Sequence, residues 1–288
     1  MTKGRKIVYS LIVFLMLAFI IEMEISFQVL TVEEVTVKNS KVPDGFNGAT
    51  FLQITDLHSV SFGKNNKRLL NLIEKLNPDY VLCTGDIVDR DDKSAVGIFD
   101  FLEKLTADNK VYYSMGNHEM YSQNRYEQKS LTEKLHDFDM IFLNNSVDEI
   151  ERNGDKINIS GYYPNVGIDY SYPQQSYFPV VSKNMLINSL GQSNRERFNL
   201  MLAHDPTYFE LYSGWGADLV FSGHLHGGII RIPFVGGFLS PYFEFFPKYD
   251  SGIFEYGDSK MYVGTGMSSS YIPRFNNPPQ ITVVTLVK

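Results

Sequence analysis

The 288-residue sequence predicts an α/β protein, and three observations point there. Short apolar runs at 51–54, 80–83 and 111–113 alternate with amphipathic stretches at 67–76 and 94–105. That βαβαβ order gives a largely parallel sheet covered by helices. Apolar residues make up 43% of the chain and aromatic ones 14%, enough for a large core and too much for a disordered chain. Five apolar runs also end in residue types that hold metals, and open α/β sheets gather ligands at the carboxyl ends of their strands.

The elements follow in order. Lys3, Arg5 and Lys6 precede an apolar stretch from Ile7 to Ile21, after which Glu22, Glu24, Glu33 and Glu34 appear. A full membrane span needs roughly 20 apolar residues, so this one is short unless Met23, Ile25 and Phe27 join it. A cleaved signal peptide would end in a small-x-small site, and no convincing one follows. A core helix would not normally sit at the extreme terminus behind a basic cluster. Residues 1–27 are therefore expected to be an uncleaved signal-anchor, a single-pass transmembrane segment. The basic flank stays in the cytoplasm, which places the rest of the chain outside it. Residues 28–49 read as a tether with a leading strand, in the β-branched runs Val29-Leu30-Thr31-Val32 and Val35-Thr36-Val37. Pro43, Gly45 and Gly48 then punctuate.

From residue 50 the alternation begins. The 67–76 helix puts Leu69, Leu72, Ile73 and Leu76 on one face. In the second half Asn153-Gly154 joins two alternating segments as a hairpin turn. Strand-like runs follow at 198–203, 219–221, 261–263 and 281–287, while 161–178 shows no period and reads as an ordered loop. The single cysteine, Cys83, excludes an intramolecular disulfide and lies inside an apolar run, as a buried structural thiol would. The net charge of −7 argues mildly against a nucleic-acid partner.

The chemistry gathers at the strand ends. Phe51-Leu52-Gln53-Ile54-Thr55 leads to Asp56-Leu57-His58, and Tyr80-Val81-Leu82-Cys83-Thr84-Gly85 leads to Asp86. Val111-Tyr112-Tyr113-Ser114-Met115-Gly116 leads to Asn117-His118-Glu119; 198–203 leads to His204, and 219–223 to His224-Leu225-His226. A lone histidine after a strand is ordinarily a hydrogen-bonded surface or core residue. Here five of six histidines fall at these ends, and only His136, read as surface, lies elsewhere. Scatter does not produce that distribution. Glycines stand just before three of the ligand blocks, where a strand turns sharply or the backbone approaches closely.

The ordered set Asp56-x-His58, Gly85-Asp86-x-x-Asp89, Gly116-Asn117-His118-Glu119, His204, Gly223-His224-x-His226 resembles the calcineurin-like metallophosphoesterases. Gly227-Gly228, Phe246-Pro247-Lys248-Tyr249 and Asn277-Pro278-Pro279 look like a bacterial, membrane-associated branch of that family. The resemblance implies a four-layer α/β/β/α sandwich over residues 50–288. It also implies one metal held by Asp56, His58, Asp86 and His226, and a second by Asp86, Asn117, His204 and His224, with Asp86 bridging. The cofactors would be two divalent transition metal ions, manganese, iron or zinc, because mixed nitrogen and oxygen ligands argue against magnesium or calcium. Such a pair activates a bridging hydroxide and clamps both ends of an in-line displacement.

By the same resemblance His118 protonates the leaving oxygen or steadies transition-state charge, and Asp89 hydrogen-bonds His118 to fix its tautomer. Asp89 could equally cap a following helix. Arg90 could reach the substrate phosphate or be an ordinary surface arginine, and Glu119 would support its neighbours through hydrogen bonds or a salt bridge.

The implied function is hydrolysis of a phosphate ester or pyrophosphate at the outer face of a membrane. The partners would be a phosphorylated small molecule or a lipid-linked phosphate, and the membrane itself. A metal-dependent nuclease is disfavoured by the acidic balance and the lack of a basic stripe. A noncatalytic metal-stabilised surface protein would leave His118 and Asp89 without purpose. The aromatic segment 234–247 either covers the edge of a sheet or presents an apolar rim to lipid.

Overall fold

The structure, a computed structural model, describes residues 3–122, 125–126, 129–164, 181–268 and 273–288. Two six-stranded sheets carry it. The first comprises β1 (Thr31–Lys38), β2 (Thr50–Ile54), β3 (Tyr80–Cys83), β4 (Val111–Tyr113), β7 (Ile141–Phe142) and β16 (Gln280–Val287), in the order β1-β16-β2-β3-β4-β7. The second comprises β8 (Ser146–Arg152), β9 (Asp155–Tyr162), β10 (Asn199–Ala203), β11 (Leu219–Ser222), β14 (Gly252–Tyr256) and β15 (Ser259–Val263), in the order β14-β15-β11-β10-β9-β8. Two ribbons pair β5 (Arg125–Tyr126) with β6 (Lys129–Ser130), and β12 (Ile230–Ile232) with β13 (Gly236–Leu239). The helices are α1 (Lys3–Gln28), α2 (Lys67–Leu76), α3 (Val96–Asp108), α4 (Asn117–Tyr121), α5 (Leu131–Leu135), α6 (Lys183–Leu190) and α7 (Phe209–Trp215).

Alternation along the strands builds the layers, because successive side chains point to opposite faces. Phe51, Leu82, Leu200, Leu202, Leu219, Phe221 and Tyr262 meet between the sheets. Their neighbours Leu52, Ile54, Val81 and Cys83 pack outward on Leu69, Ile73, Phe101 and Leu102 of α2 and α3. On the far side Met201, Ala203, Val220 and Met261 pack on Leu186 of α6 and Phe209, Tyr212 and Trp215 of α7. Each fully buried Leu or Phe in these layers contributes roughly 1.5–3 kcal/mol. The result is an α/β/β/α sandwich, as the resemblance implies. Strands β2, β3 and β4 are parallel, as are β10 and β11, so their carboxyl ends lie along one edge of each sheet.

Several details differ from the sequence reading. Helix α1 does not stop at Ile21; Met23, Ile25 and Phe27 continue it to Gln28, a rise of about 39 Å over its 26 residues. The strand expected in the 28–49 tether forms, but it is the edge of the first sheet, paired with β16 from Thr31↔Gln280 to Lys38↔Val287. Only Val29 and Leu30 separate it from α1, which leaves little free tether. Helix α3 begins at Val96 rather than residue 94, because the Asp92 carboxylate accepts the Ser94 and Ala95 N–H groups in a turn first. The loop expected from 161 begins later, since β9 runs through Tyr162 paired with Ala203; residues 165–180 lie outside those described. Asn153 and Gly154, with φ of 53° and 84°, make the hairpin turn between β8 and β9.

Candidate metal centre

The strand ends of both sheets meet at one edge, and the residues singled out from sequence converge there. Asp56 and His58 follow β2, Asp86 follows β3, and Asn117 begins α4 after β4. His204 follows β10, and His224 and His226 follow β11. Three clusters of ligand atoms result, each within 4.8 Å internally: Asp56, His58 and His226; Asp86, His204 and His224; and, between them, His58, Asp86 and His118. They adjoin, with His58 Nε2 4.0 Å from Asp56 Oδ1 and 3.9 Å from Asp86 Oδ2. His204 Nε2 is 3.1 Å from Asp86 Oδ2, and His226 Nε2 is 3.8 Å from Asp56 Oδ1.

The local backbone explains the convergence. Asp56, His58, Asp86, His224 and His226 all have φ between 47° and 72°, the left-handed region that non-glycine residues rarely enter. Each such residue costs of order 1–3 kcal/mol and persists only where its surroundings over-determine it. The surroundings do so here. Asp56 N–H donates to Gly85 O, His58 N–H to Asp86 O and Ser268 N–H to Asp56 O. The Glu119 carboxylate accepts from the N–H groups of Asp86, Ile87, Val88 and Gly116 and from the Tyr113 hydroxyl. Glu119 is thus the peg on which the Asp86 loop hangs. Gly85 has φ of 97°, and a Cβ there would lie 2.6 Å from Gly116 N, so no other residue fits without a shift.

Histidine orientation is set by backbone carbonyls. His204 Nδ1 donates to Thr84 O at 2.8 Å and His226 Nδ1 donates to Ser268 O at 2.7 Å. A carbonyl only accepts, so each Nδ1 carries the proton and each Nε2 faces the cluster with its lone pair. His224 is held by its other nitrogen: Tyr242 Oη lies 2.7 Å from Nε2, which leaves Nδ1 for a ligand.

The residues present fit a metal pair. Asn117 Oδ1 is buried and accepts no hydrogen bond among the described residues. His204 Nε2 and Asp86 Oδ2 are two acceptors 3.1 Å apart, an arrangement that requires a cation between them, either a proton or a metal. The electrostatics agree. Burial alone would raise the Asp86 carboxyl, yet the imidazoles of His204, His118 and His58 hold it well below the ordinary carboxylate range. Burial would lower His204, but Asp86 and Asp56 push it up to about 10. Burial dominates at His226, pushed down to about 3, so that ring is neutral and able to bind metal. Cys83, fully buried beneath the site, has its thiol pushed up by burial and then by Glu119.

His118 stands beside the cluster, its ring centroid 4.4 Å from that of His58. Its Nδ1 accepts the Arg90 N–H at 3.3 Å and lies 3.5 Å from Asp89 Oδ2. The Arg90 N–H calls for a lone pair on Nδ1 and the Asp89 carboxylate for a proton there, so the two neighbours favour opposite states of the ring. Asp89 Oδ2 also lies 3.6 Å from His58 Nδ1, so one carboxylate serves both rings. It does not cap α3; its Oδ1 accepts the Asp91 N–H in a local turn. The Arg90 guanidinium is 3.8 Å from Asp91. His136 is exposed, its ring against Phe142.

Residues 49–228 match the calcineurin-like phosphoesterase family. The chain belongs to that family. As a member it is a metal-dependent phosphoester hydrolase, and it carries the candidate ligands of a dinuclear centre. The metallophosphoesterase YkuE of Bacillus subtilis is 27% identical over 265 residues, covering 88% of this chain and 84% of that one. A transmembrane protein with a metallophosphoesterase domain from Danio rerio is 24% identical over 88% of this chain and 57% of its own. The UDP-2,3-diacylglucosamine pyrophosphatase LpxG of Chlamydia muridarum is 22% identical over 83% of each chain.

Two neighbours of the site escaped the sequence reading. Tyr242 lies in an aromatic segment whose spacing gives no sign that one hydroxyl turns inward. Arg274 is fully buried, and its guanidinium donates to Gly266 O, Ser268 O, Asn277 O and Asn277 Oδ1. Asn277 in turn donates to His226 O and Ile229 O. The Asn277-Pro278-Pro279 run was the one visible signal of this clamp.

Proposed function

We propose that this enzyme hydrolyses a lipid-linked phosphate ester or pyrophosphate at the outer face of the membrane that α1 spans. The observation that carries the lipid reading is the short path from helix to site. Ser26 Oγ of α1 accepts the Asn277 N–H, and Asn277 Nδ2 donates to the carbonyl of His226. Glu22 of α1 accepts the Asn276 N–H on the same side. A catalytic edge joined so closely to the anchor faces substrates held in the same bilayer. The basic cluster Lys3, Arg5 and Lys6 supports a cytoplasmic amino terminus and a sandwich on the outside. The relative that is a diacylglucosamine pyrophosphatase acts on a substrate of this class.

In this reading Asp56, His58, Asp86 and His226 hold one metal, and Asp86, Asn117, His204 and His224 hold the other. When bound, two transition-metal dications would supply a water of lowered pKa and neutralise charge on the phosphate. The chain supplies the rest. Asp86 Oδ2 faces ligands of both sites, 3.9 Å from His58 Nε2 and 3.1 Å from His204 Nε2, while its Oδ1 accepts the His118 N–H at 2.8 Å, which fixes the plane of the carboxylate. His118 delivers the proton to the leaving oxygen: in the charged ring Nδ1 faces Asp89 Oδ2 at 3.5 Å, and Nε2 carries the proton to be given up. Burial disfavours the charged ring, but Asp86 and Asp89 overcome it and raise His118, which suits a proton donor. Arg90, next to Asp89 in sequence, would supply a cation to a phosphate oxygen entering beside His118.

A substrate panel tests the proposal. Full-length protein in mixed micelles with manganese should turn over a lipid-linked pyrophosphate with higher kcat/KM than the matching water-soluble nucleotide or aryl phosphate. Equal turnover of the soluble and lipid-linked compounds would remove the lipid part of the reading.

A further inference from the structure

Among the described residues, every exposed phenylalanine lies either in α1 or between residues 234 and 246. Phe234 is fully exposed, and Phe243, Phe245 and Phe246 expose 69%, 62% and 57%. They belong to one unit. Phe234 and Val235 form the tip of the β12–β13 ribbon, while the segment after β13 folds back so that Phe245 and Phe246 pack edge-on against Phe238. A soluble surface does not keep four phenylalanines in one patch, and such a patch marks a binding face.

The position of the patch identifies what covers it. The base of the ribbon is bonded to residues 275 and 276: Arg231 N–H donates to Phe275 O, Phe275 N–H to Ile229 O, and Asn276 Nδ2 to Arg231 O. The Phe275 ring stacks on Phe19 of α1 with centroids 5.8 Å apart. Phe19 belongs to the apolar stretch that ends at Ile21, about 13 Å along the helix from Gln28. Whatever touches Phe19 lies at the level of the hydrocarbon boundary, and the ribbon springs from that contact. Interfacial segments of this kind place their aromatic residues at the headgroup level and bury about 5–10 Å.

We propose that residues 232–246 are a second membrane contact, seated in the interface of the bilayer that α1 spans. The inference rests on the reading of α1 as a membrane span. The sandwich then leans on the membrane with its catalytic edge, instead of hanging from the helix. The same segment carries Tyr242, whose hydroxyl is 2.7 Å from Nε2 of His224. Seating the loop therefore also steadies a candidate metal ligand. A substrate headgroup would reach the site while its acyl chains remain in the bilayer.

Depth-dependent quenching tests it on the full chain in phosphatidylcholine vesicles with brominated acyl chains. The native Trp215 is buried and gives a constant background. Phe234→Trp, at a side chain without packing to lose, should be quenched, and most strongly by bromine in the upper acyl chain. Val235→Trp should agree. Tyr256→Trp, on the β14–β15 turn at the opposite end of the sheet, should match the background. A Phe234→Trp protein that resists carbonate extraction yet shows no quenching above background would overturn the interfacial contact and leave the proposed function standing. A protein released by carbonate would overturn both.

Discussion

Asp86 stands where the two halves of the site meet, and its carboxylate faces His58, His204 and the His118 N–H within 4 Å. Asp86→Asn keeps the shape and removes the charge, so it should lose both metal occupancy and activity. His118→Asn should keep its metals and lose on the order of 10²–10⁴-fold in rate, the range of a lost proton transfer. Metal analysis beside kinetics separates the two, and an emptied site in His118→Asn would contradict the division of roles. Glu119 makes a third case. Its replacement by Gln turns donors toward backbone N–H groups, and charge-assisted bonds are worth roughly 1.5–3 kcal/mol each. Glu119→Gln should therefore lower the unfolding midpoint clearly, although it removes none of the candidate ligands. The ligand types were legible in the sequence because chemistry restricts them to Asp, His and Asn at strand ends. The supporting role of Glu119 was expected but its partners were not, since nothing in sequence marks a carboxylate that will bind four backbone N–H groups.

At the scale of elements, strands buried on both faces read clearly: β3 and β4 and helix α2 fall where apolar runs and a 3.6-residue stripe place them. The β12–β13 ribbon did not. Gly236 and Gly237 and a register shift between Ile230 and Arg231 erase the alternation by which strands are recognised. The Arg274–Asn277 clamp was also illegible as a clamp, because the carbonyls that Asn277 holds belong to His226 and Ile229, 51 and 48 residues away in sequence. That clamp supports His226 from behind. Asn277→Ala should weaken metal binding about 10–100-fold, the usual cost of losing a group that orients a ligand. Calorimetric metal titration measures it, and unchanged affinity would show that the His226 loop holds itself.

For the whole molecule, the sandwich supplies rigidity, and in the proposed reading α1 supplies location. Strand β1 continues directly from α1 into the first sheet, and Arg68 of α2 donates to Gln28 O at the helix end. The sandwich and α1 are therefore joined by hydrogen bonds at the end of the helix. The full-length chain should sediment with membranes and resist high salt, and protease added outside wall-less cells should remove the sandwich. A protected sandwich would place the site in the cytoplasm.

In the proposed reading, catalysis depends on two metal ions held by seven residues from five strand ends. That dependence is tested most directly by stripping full-length protein in detergent with a chelator, then following aryl phosphate hydrolysis and bound metal together as manganese is returned. Activity should vanish on stripping and return only as occupancy approaches two ions per chain. Full activity in the stripped protein, or a maximum reached at one ion per chain, would contradict it.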